Sequence, residues 1–356
     1  MIYVMVGHMI DWWTIPSEEW LFNVFVSLFS ALGAAGFVFV SGISTMISYR
    51  NRVEKVKITA NYSTKTMRKE YLIRGFLILA LGLLYNSIVA IEFFDPSIIW
   101  KWFIILTVGA SLLLAWPLLK TSKLIKICVA ALIWIVNQIL LTILLPFNGE
   151  VNFFGVLFYI FYNSLDQNPI LSFFTFFLIG TVIGDLIFEY SALVGDREKK
   201  RFFKRKIFAP LLVSGVILIG ISFWFLLPNL FTDKIRTINT NIWWLMYSLG
   251  LDLIFILILL ILEEYNIFNR KKSYKSSFYF SYYSLTLFLL QNVNYLLFFE
   301  LLNRYNIWYF IIATVILYGF FLRFMFKKLE GNFSLKVQIS KIATKLARKP
   351  LGKELN

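Results

Sequence analysis

Nine stretches of this chain, at 21–48, 71–92, 98–119, 125–146, 169–192, 207–227, 242–264, 277–300 and 307–327, are each about 20 residues or longer and almost free of charge. A helix rising 1.5 Å per residue needs about 20 apolar residues to cross ~30 Å of hydrocarbon, so each stretch is long enough to span a bilayer. Of the 356 residues, 59% are hydrophobic and 15% charged, against about 25% charged in soluble domains. A water-soluble domain is excluded. The sequence predicts an all-α polytopic integral membrane protein, with one membrane domain over 1–327 and a basic amphipathic tail over 328–356. Residues 1–13 make a tenth span. They cover only about 20 Å, so the first helix is expected to be incomplete, with further residues upstream. No charged n-region with a small-residue cleavage site precedes it, so it is not read as a signal peptide.

Charge fixes the expected orientation. All of the 35 Lys/Arg except Lys101, Lys234, Arg236 and Arg304 fall in alternate connections, at 49–74, 119–126, 193–206 and 265–276, or in the tail from 323. The positive-inside rule makes that side cytoplasmic, with both termini on it and ten spans closing the count in a plasma membrane. Trp12, Trp13, Trp20, Trp100, Trp243, Trp244 and Trp308 fall near the predicted outer ends, where an interfacial aromatic belt belongs. Residues 152–164 are too short to span and are placed on the outer face as an interfacial or re-entrant segment. The tail spaces Leu335, Val337, Ile339, Ile342 and Leu346 among lysines, the pattern of an amphipathic helix on an anionic inner leaflet. Because the basic residues sit between apolar runs, the net charge of +15 reflects topology, and no nucleic-acid partner is expected. No internal repeat is evident, which weakens an inverted-repeat transporter reading.

With a single cysteine, Cys128, and a single histidine, His8, the chain has no means to form an intrachain disulfide, a cysteine metal site, a multi-histidine zinc site or bis-histidine haem ligation. No metal is expected. Ionisable groups inside a membrane are costly, so each is a functional candidate. His8 and Asp11 stand at i and i+3, on one helix face, where a carboxylate can orient an imidazole. The same pair would suit a wet interfacial belt beside Trp12 and Trp13, and spacing alone does not choose. Asp252 in the eighth helix and Asp185 in the sixth are expected to face the bundle interior, Asp185 as a packing contact. Asn137, Gln138, Gln291, Asn292 and Asn294 can bridge helices by hydrogen bonds, and Gly180 with Gly184 has the spacing of a close helix contact. Arg74, with Arg50, Arg52, Arg68 and Lys69, makes a basic cluster suited to phosphates. Topology signal alone accounts for most of these charges; Arg74, at the membrane edge, is the one expected to hold a ligand.

Five stretches carry a family resemblance. AAGFVFVSGISTMISYRNR at 34–52, IRGFLILALGLL at 73–84, NPILSFFTFFLIGTVIGDLIF at 168–188, YYSLTLFLLQN at 282–292 and GNFSLKVQISKI at 331–342 resemble, in order, five motifs of the transmembrane acyltransferase superfamily. That superfamily includes heparan-α-glucosaminide N-acetyltransferase and, more distantly, the acyltransferase type 3 proteins. The resemblance implies about ten helices around a cavity. Acyl-CoA, most simply acetyl-CoA, would enter from the cytoplasm, and the acyl group would pass to an amine or hydroxyl of a carbohydrate. His8 matches the histidine that closes the family's first helix, which implies a catalytic role for it, with Asp11 holding the ring. Arg74, Arg50, Arg52 and Lys69 would bind the CoA phosphates, and Asp252, Gln291 and Asn292 would line the polar cavity. Three departures stand out. The Asp-x-x-Arg-Gly part of the first motif would lie ahead of Met1, Gln291 stands where the family usually has histidine, and Lys336 replaces the glutamate of the last motif. A non-catalytic carrier or export component for glycans is the alternative reading.

Overall fold

The computed structural model describes residues 1–29, 32–59, 62–163, 167–226, 241–265 and 275–348. Its elements are α1 (Ile2–Trp13), α2 (Trp20–Phe29), α3 (Ala34–Ile58), α4 (Thr64–Glu92), α5 (Ile104–Ala115), α6 (Lys123–Leu144), α7 (Phe153–Phe161), α8 (Ile170–Ala192), α9 (Asp196–Phe202), α10 (Ala209–Leu226), α11 (Ile242–Glu264), α12 (Lys275–Tyr282), α13 (Ser284–Leu290), α14 (Ile307–Leu329) and α15 (Leu335–Arg348). Helices dominate because a segment in lipid must pair its own backbone groups. Polar residues just ahead of the apolar runs start several of them: the side chains of Ser63, Ser122, Asn152 and Asn241 each accept a hydrogen bond from a backbone N–H in the first turn.

Seven helical segments among the described residues are long and apolar enough to cross a membrane, taking adjoining 3₁₀ or π turns into account: Thr64–Glu92, Pro96–Ala115, Lys123–Phe147, Ile170–Ala192, Asp196–Leu226, Ile242–Glu264 and Ile307–Leu329. The protein is therefore a polytopic, helical membrane protein. Two of the predicted runs are divided. Residues 21–48 split between α2 and α3, with Gly33 at the start of the second helix. Residues 277–300 break into α12, α13 and a 3₁₀ turn over Gln291–Leu296. There the Asn294 carbonyl accepts both the Trp13 indole N–H, at 2.7 Å, and the Leu297 backbone N–H, at 3.2 Å. Residues 153–161 form the nine-residue α7. The stretch with Lys234 and Arg236, residues 266–274 and residues 349–356 lie outside the described residues.

The closest helix crossing joins α3 to α8. A Cβ built on Gly42 would come within 2.1 Å of the Phe177 carbonyl oxygen, and one on Gly180 within 2.1 Å of that of Phe39. Gly184 meets the Ile43 carbonyl in the same way, at 2.6 Å. Small residues here let two backbones touch where lipid offers no hydrophobic drive for helices to associate. Phe39, Ile43, Met46, Phe173, Phe176 and Phe177 are buried around the crossing. A second apolar cluster joins α1 to α12, α13 and α14 through Met5, Met9, Trp13, Tyr283, Leu287 and Ile311.

Helix ends and connections pair with one another in two groups. At one end, residues 12–15 bond to 300–302 (Glu300 N–H to the Trp12 carbonyl, Leu302 N–H to Trp13, Ile15 N–H to Leu302), and Arg304 N–H donates to the Glu18 carboxylate. At the Lys/Arg-rich end, Arg50 meets Asp185, Arg52 meets Glu70 and Lys123 meets Glu189. The amphipathic tail helix, α15, lies at this second end. It buries Ile339, Ala343 and Ala347 and leaves Ile342 and Leu346 exposed. Its first turn is fastened to the bundle by Ser334 Oγ donating to the Tyr282 carbonyl at 2.8 Å and by Leu335 N–H donating to Thr286 Oγ1 at 3.0 Å.

Candidate functional site

At the Lys/Arg-rich end four cations, Arg50, Arg52, Lys123 and Arg348, have carboxylate partners among the described residues. Arg50, near the end of the apolar part of α3, places both Nε and Nη2 2.6 Å from Asp185 Oδ1 on α8. The Asp185 carboxyl is buried and its partner is partly exposed, so the pair is held by one well-formed, charge-assisted contact. Arg52 Nη1 lies 3.1 Å from Glu70 Oε2, and Tyr62 donates its O–H to the same oxygen at 2.7 Å. Burial and that hydrogen bond push the Tyr62 phenol up to about 12, so it stays protonated and donating. Arg348, at the end of α15, brings its Nε to 3.8 Å from the other Glu70 oxygen. Glu70 thus ties α3, the α3–α4 connection, α4 and α15 together. Lys69 is half-buried beside it.

Arg74 differs from this group. It stands three turns into α4, and its Nε is buried with no hydrogen-bond partner among the described residues. Buried guanidinium donors are costly to leave unmet. Arg74 faces two spaces. One is a slot with Thr45, Ser48, Tyr49, Arg52, Tyr71 and Trp116, of about 10 Å³, room for about one water. The other is an open cleft of about 590 Å³ between α4, Tyr282 and α15, within the range of small-molecule sites. Its wall carries Arg74, Lys336, Lys341, Lys345 and Arg348 and no carboxylate among its described lining residues. The Lys336 side chain stays accessible from the open cleft, yet the surrounding protein and then the Arg74 guanidinium hold its pKa below the ordinary lysine value.

His8 sits elsewhere. On α1 the residues Met5, Met9, Ile10 and Trp13 form the buried stripe. His8 lies half-buried on its flank, stacked on Trp12 with ring centroids 4.9 Å apart and an interplanar angle of 18°. Trp12 meets the edge of Tyr295 at 5.8 Å, so the imidazole belongs to an aromatic seam between α1 and the 3₁₀ turn after α13. Asp11 is exposed, one turn further on.

The three residues expected to line the polar cavity have different surroundings. Gln291 is buried, with Oε1 unpartnered among the described residues, whereas Asn292 donates to the Tyr85 hydroxyl at 2.7 Å. Asp252 is buried on α11 beneath Gly36 of α3, whose added Cβ would come within 2.8 Å of Asp252 Oδ1. Its Oδ2 and the Ser248 hydroxyl one turn earlier have no hydrogen-bond partner among the described residues. Neither cleft at Arg74 is lined by any of these three. Asn137 acts as helix glue, its carbonyl and side-chain oxygens accepting from Tyr162 at 3.0 and 3.2 Å. Sequence reasoning missed Glu70 as the tie between elements and the lysines of α15 as a wall of the cleft. The second had a signal: Lys341, Lys345 and Arg348 recur at i, i+4 and i+7, on one helix face.

A family model described as heparan-alpha-glucosaminide N-acetyltransferase, catalytic, matches residues 1–221. The chain belongs to this family. No curated protein and no solved structure matches it. The matched region of this heparan-α-glucosaminide N-acetyltransferase-like chain runs from α1 through most of α10. It therefore contains His8, Asp11, Arg50, Arg52, Lys69 and Arg74, while Asp252, Gln291, Asn292 and α15 lie beyond it.

Proposed function

We propose that the protein is a membrane-embedded acyltransferase. It takes an acyl group, most simply acetyl, from acyl-CoA at the Lys/Arg-rich end and passes it to an amine or hydroxyl of a carbohydrate acceptor at or across the membrane. The observation that carries this reading is the family match over residues 1–221, which spans both the histidine and the arginine cluster. By the positive-inside rule the Lys/Arg-rich end, with both termini, is cytoplasmic in a plasma membrane, and that is the side on which acyl-CoA is available.

In this reading Arg74 holds CoA phosphate, since its buried Nε has a charge-assisted bond still to make. Arg50 and Arg52 act mainly in fixing α3 against α8 and α4, because their donors already meet Asp185 and Glu70. His8 is the general base. As the acceptor nitrogen or oxygen attacks the thioester carbonyl, His8 takes its proton; the C–S bond then breaks, and the CoA thiolate leaves and recovers a proton. Asp11, one turn along the same helix, orients the ring.

Release of free CoA thiol by the purified full chain, measured with acetyl-CoA in the presence and absence of amino-sugar and glycan acceptors, tests the assignment. Acceptor-dependent release is expected. Saturable binding of both compounds with no release would instead make the protein a carrier. Arg74→Ala should weaken acetyl-CoA binding by about 1.5 to 3 kcal/mol, the worth of a charge-assisted hydrogen bond. Calorimetric titration checks this, and equal affinity in variant and parent would remove Arg74 from the site.

A further inference from the structure

We infer that the C-terminal helix α15 supplies half of the donor site, so that the phosphates of acyl-CoA lie between the Arg74 guanidinium of α4 and the ammonium groups of Lys336, Lys341 and Lys345. The inference rests on the acyltransferase reading and adds to it a second wall outside the region that the family model matches.

Three observations lead to it. The first is charge. The cleft of about 590 Å³ gathers five cations with no carboxylate among its described lining residues. Among the described residues only Arg348 of the five has a carboxylate near it, Glu70 at 3.8 Å, and Lys341 Nζ meets a neutral oxygen, Oδ1 of Asn332, at 2.5 Å. Like charges held together cost free energy, and an anion entering the cleft removes that cost. The second is Arg74 itself, which lines this space and whose buried Nε has no hydrogen-bond partner among the described residues. The third is rigidity. α15 is pinned at its start through Ser334 and Leu335, along its length by burial of Ile339 and Ala343, and at its end by Arg348 beside Glu70. Its lysines are therefore presented on a fixed wall, which a floating surface helix would not provide.

The size and charge of the cleft favour one occupant. A lipid phosphodiester carries one negative charge and would leave most of these cations unmet. The nucleotide end of CoA carries a diphosphate and a separate 3′-phosphate, and so offers several anionic groups to Arg74 and the three lysines at once. The departure at Lys336 then has a chemical meaning: lysine, in place of the glutamate usual in the last motif, puts a cation beside Arg74 where a carboxylate would have neutralised it.

The test uses the purified full chain, titrated calorimetrically with coenzyme A and with dephospho-coenzyme A, and reconstituted in nanodiscs with and without anionic lipid. Lys336→Met should lower CoA affinity about tenfold or more, and Lys336→Arg should restore it to near the parent value. The triple variant Lys336→Met, Lys341→Met, Lys345→Met should lose about a hundredfold or more and flatten the salt dependence of binding. Dephospho-coenzyme A should bind the parent more weakly than CoA, and the triple variant should narrow that gap. An unchanged melting temperature without ligand would show that the triple variant folds. If the parent binds CoA and Arg74→Ala weakens it while the triple variant binds as the parent does, α15 is not part of the site. Retained CoA binding with lost anionic-lipid binding would make the cleft a headgroup site and overturn the inference. A parent that binds no CoA would overturn both this inference and the acyltransferase reading.

Discussion

His8→Ala is expected to reduce acyl transfer by about 10²- to 10⁴-fold, the usual contribution of a general base. Acetyl-CoA affinity and detergent stability should change little. The two effects separate because of where the residue sits: the imidazole is on the flank of α1, stacked on Trp12, whereas Arg74 and its cleft adjoin α4 and α15. The stripe that anchors α1, Met5, Met9, Ile10 and Trp13, is untouched by the change. Losing the stacked pair costs about 0.5 to 1.5 kcal/mol beyond the buried area, too little to unfold a helix held also by the Trp13 and Leu302 hydrogen bonds. Asp11→Asn should cost less, because the imidazole survives with a poorer orienting partner. Rates from a discontinuous assay of transferred acetyl would decide it. Transfer by His8→Ala within a few-fold of the parent would leave His8 as part of an interfacial aromatic belt and move the search for the base to Asp252.

Gly180→Leu is expected to prevent stable folding. Any Cβ at this position would meet the Phe39 carbonyl oxygen at 2.1 Å, and the facing Gly42 already lies against the Phe177 carbonyl. Backbone atoms on two long helices have no rotamer to move into, so the helices must separate along the best-buried seam of the molecule. Overpacking usually costs about 1 to 3 kcal/mol and more where nothing can yield; a four-carbon side chain here belongs to the upper end. Gly220→Ala in α10 is the matched control. An added Cβ there meets nothing within 4 Å, and alanine gains up to about 1 kcal/mol of helix propensity in an exposed helix. Fluorescence-detected size-exclusion profiles and melting temperatures in detergent should show loss of the folded peak for the first variant and no loss for the second. A Gly180→Leu protein as stable as the parent would mean that α3 and α8 do not touch in this way.

Apolar length was the most legible property of the chain. It marks the long helices directly, because a run of about 20 uncharged residues has one use. It does not reveal breaks within a run: 277–300 carries no charge before Glu300, yet it divides into α12, α13 and a 3₁₀ turn whose Asn294 carbonyl is bonded by Trp13, far away in sequence. The Gly180 and Gly184 spacing was legible as a helix contact, though not its partner, α3. Arg74 was singled out by its position at a span's end. That Arg50 belongs to Asp185, 135 residues away, was beyond periodicity, since local spacing carries no information about which distant helix comes alongside. For the same reason the lysines of α15 read as leaflet-facing: the helical repeat shows that they share a face, while only the packing of Ile339 and Ala343 against the bundle shows that the face looks onto Arg74.

The most direct measurement of the central claim is the melting temperature of the detergent-solubilised full chain as a function of acetyl-CoA concentration. A ligand that binds only the folded state stabilises it by about 2.7 kcal/mol at 100 times its Kd, so the midpoint should climb steadily with the logarithm of concentration, and Arg74→Ala should need about 10- to 100-fold more acetyl-CoA for the same rise. A melting temperature that stays constant from micromolar to millimolar acetyl-CoA would contradict the account.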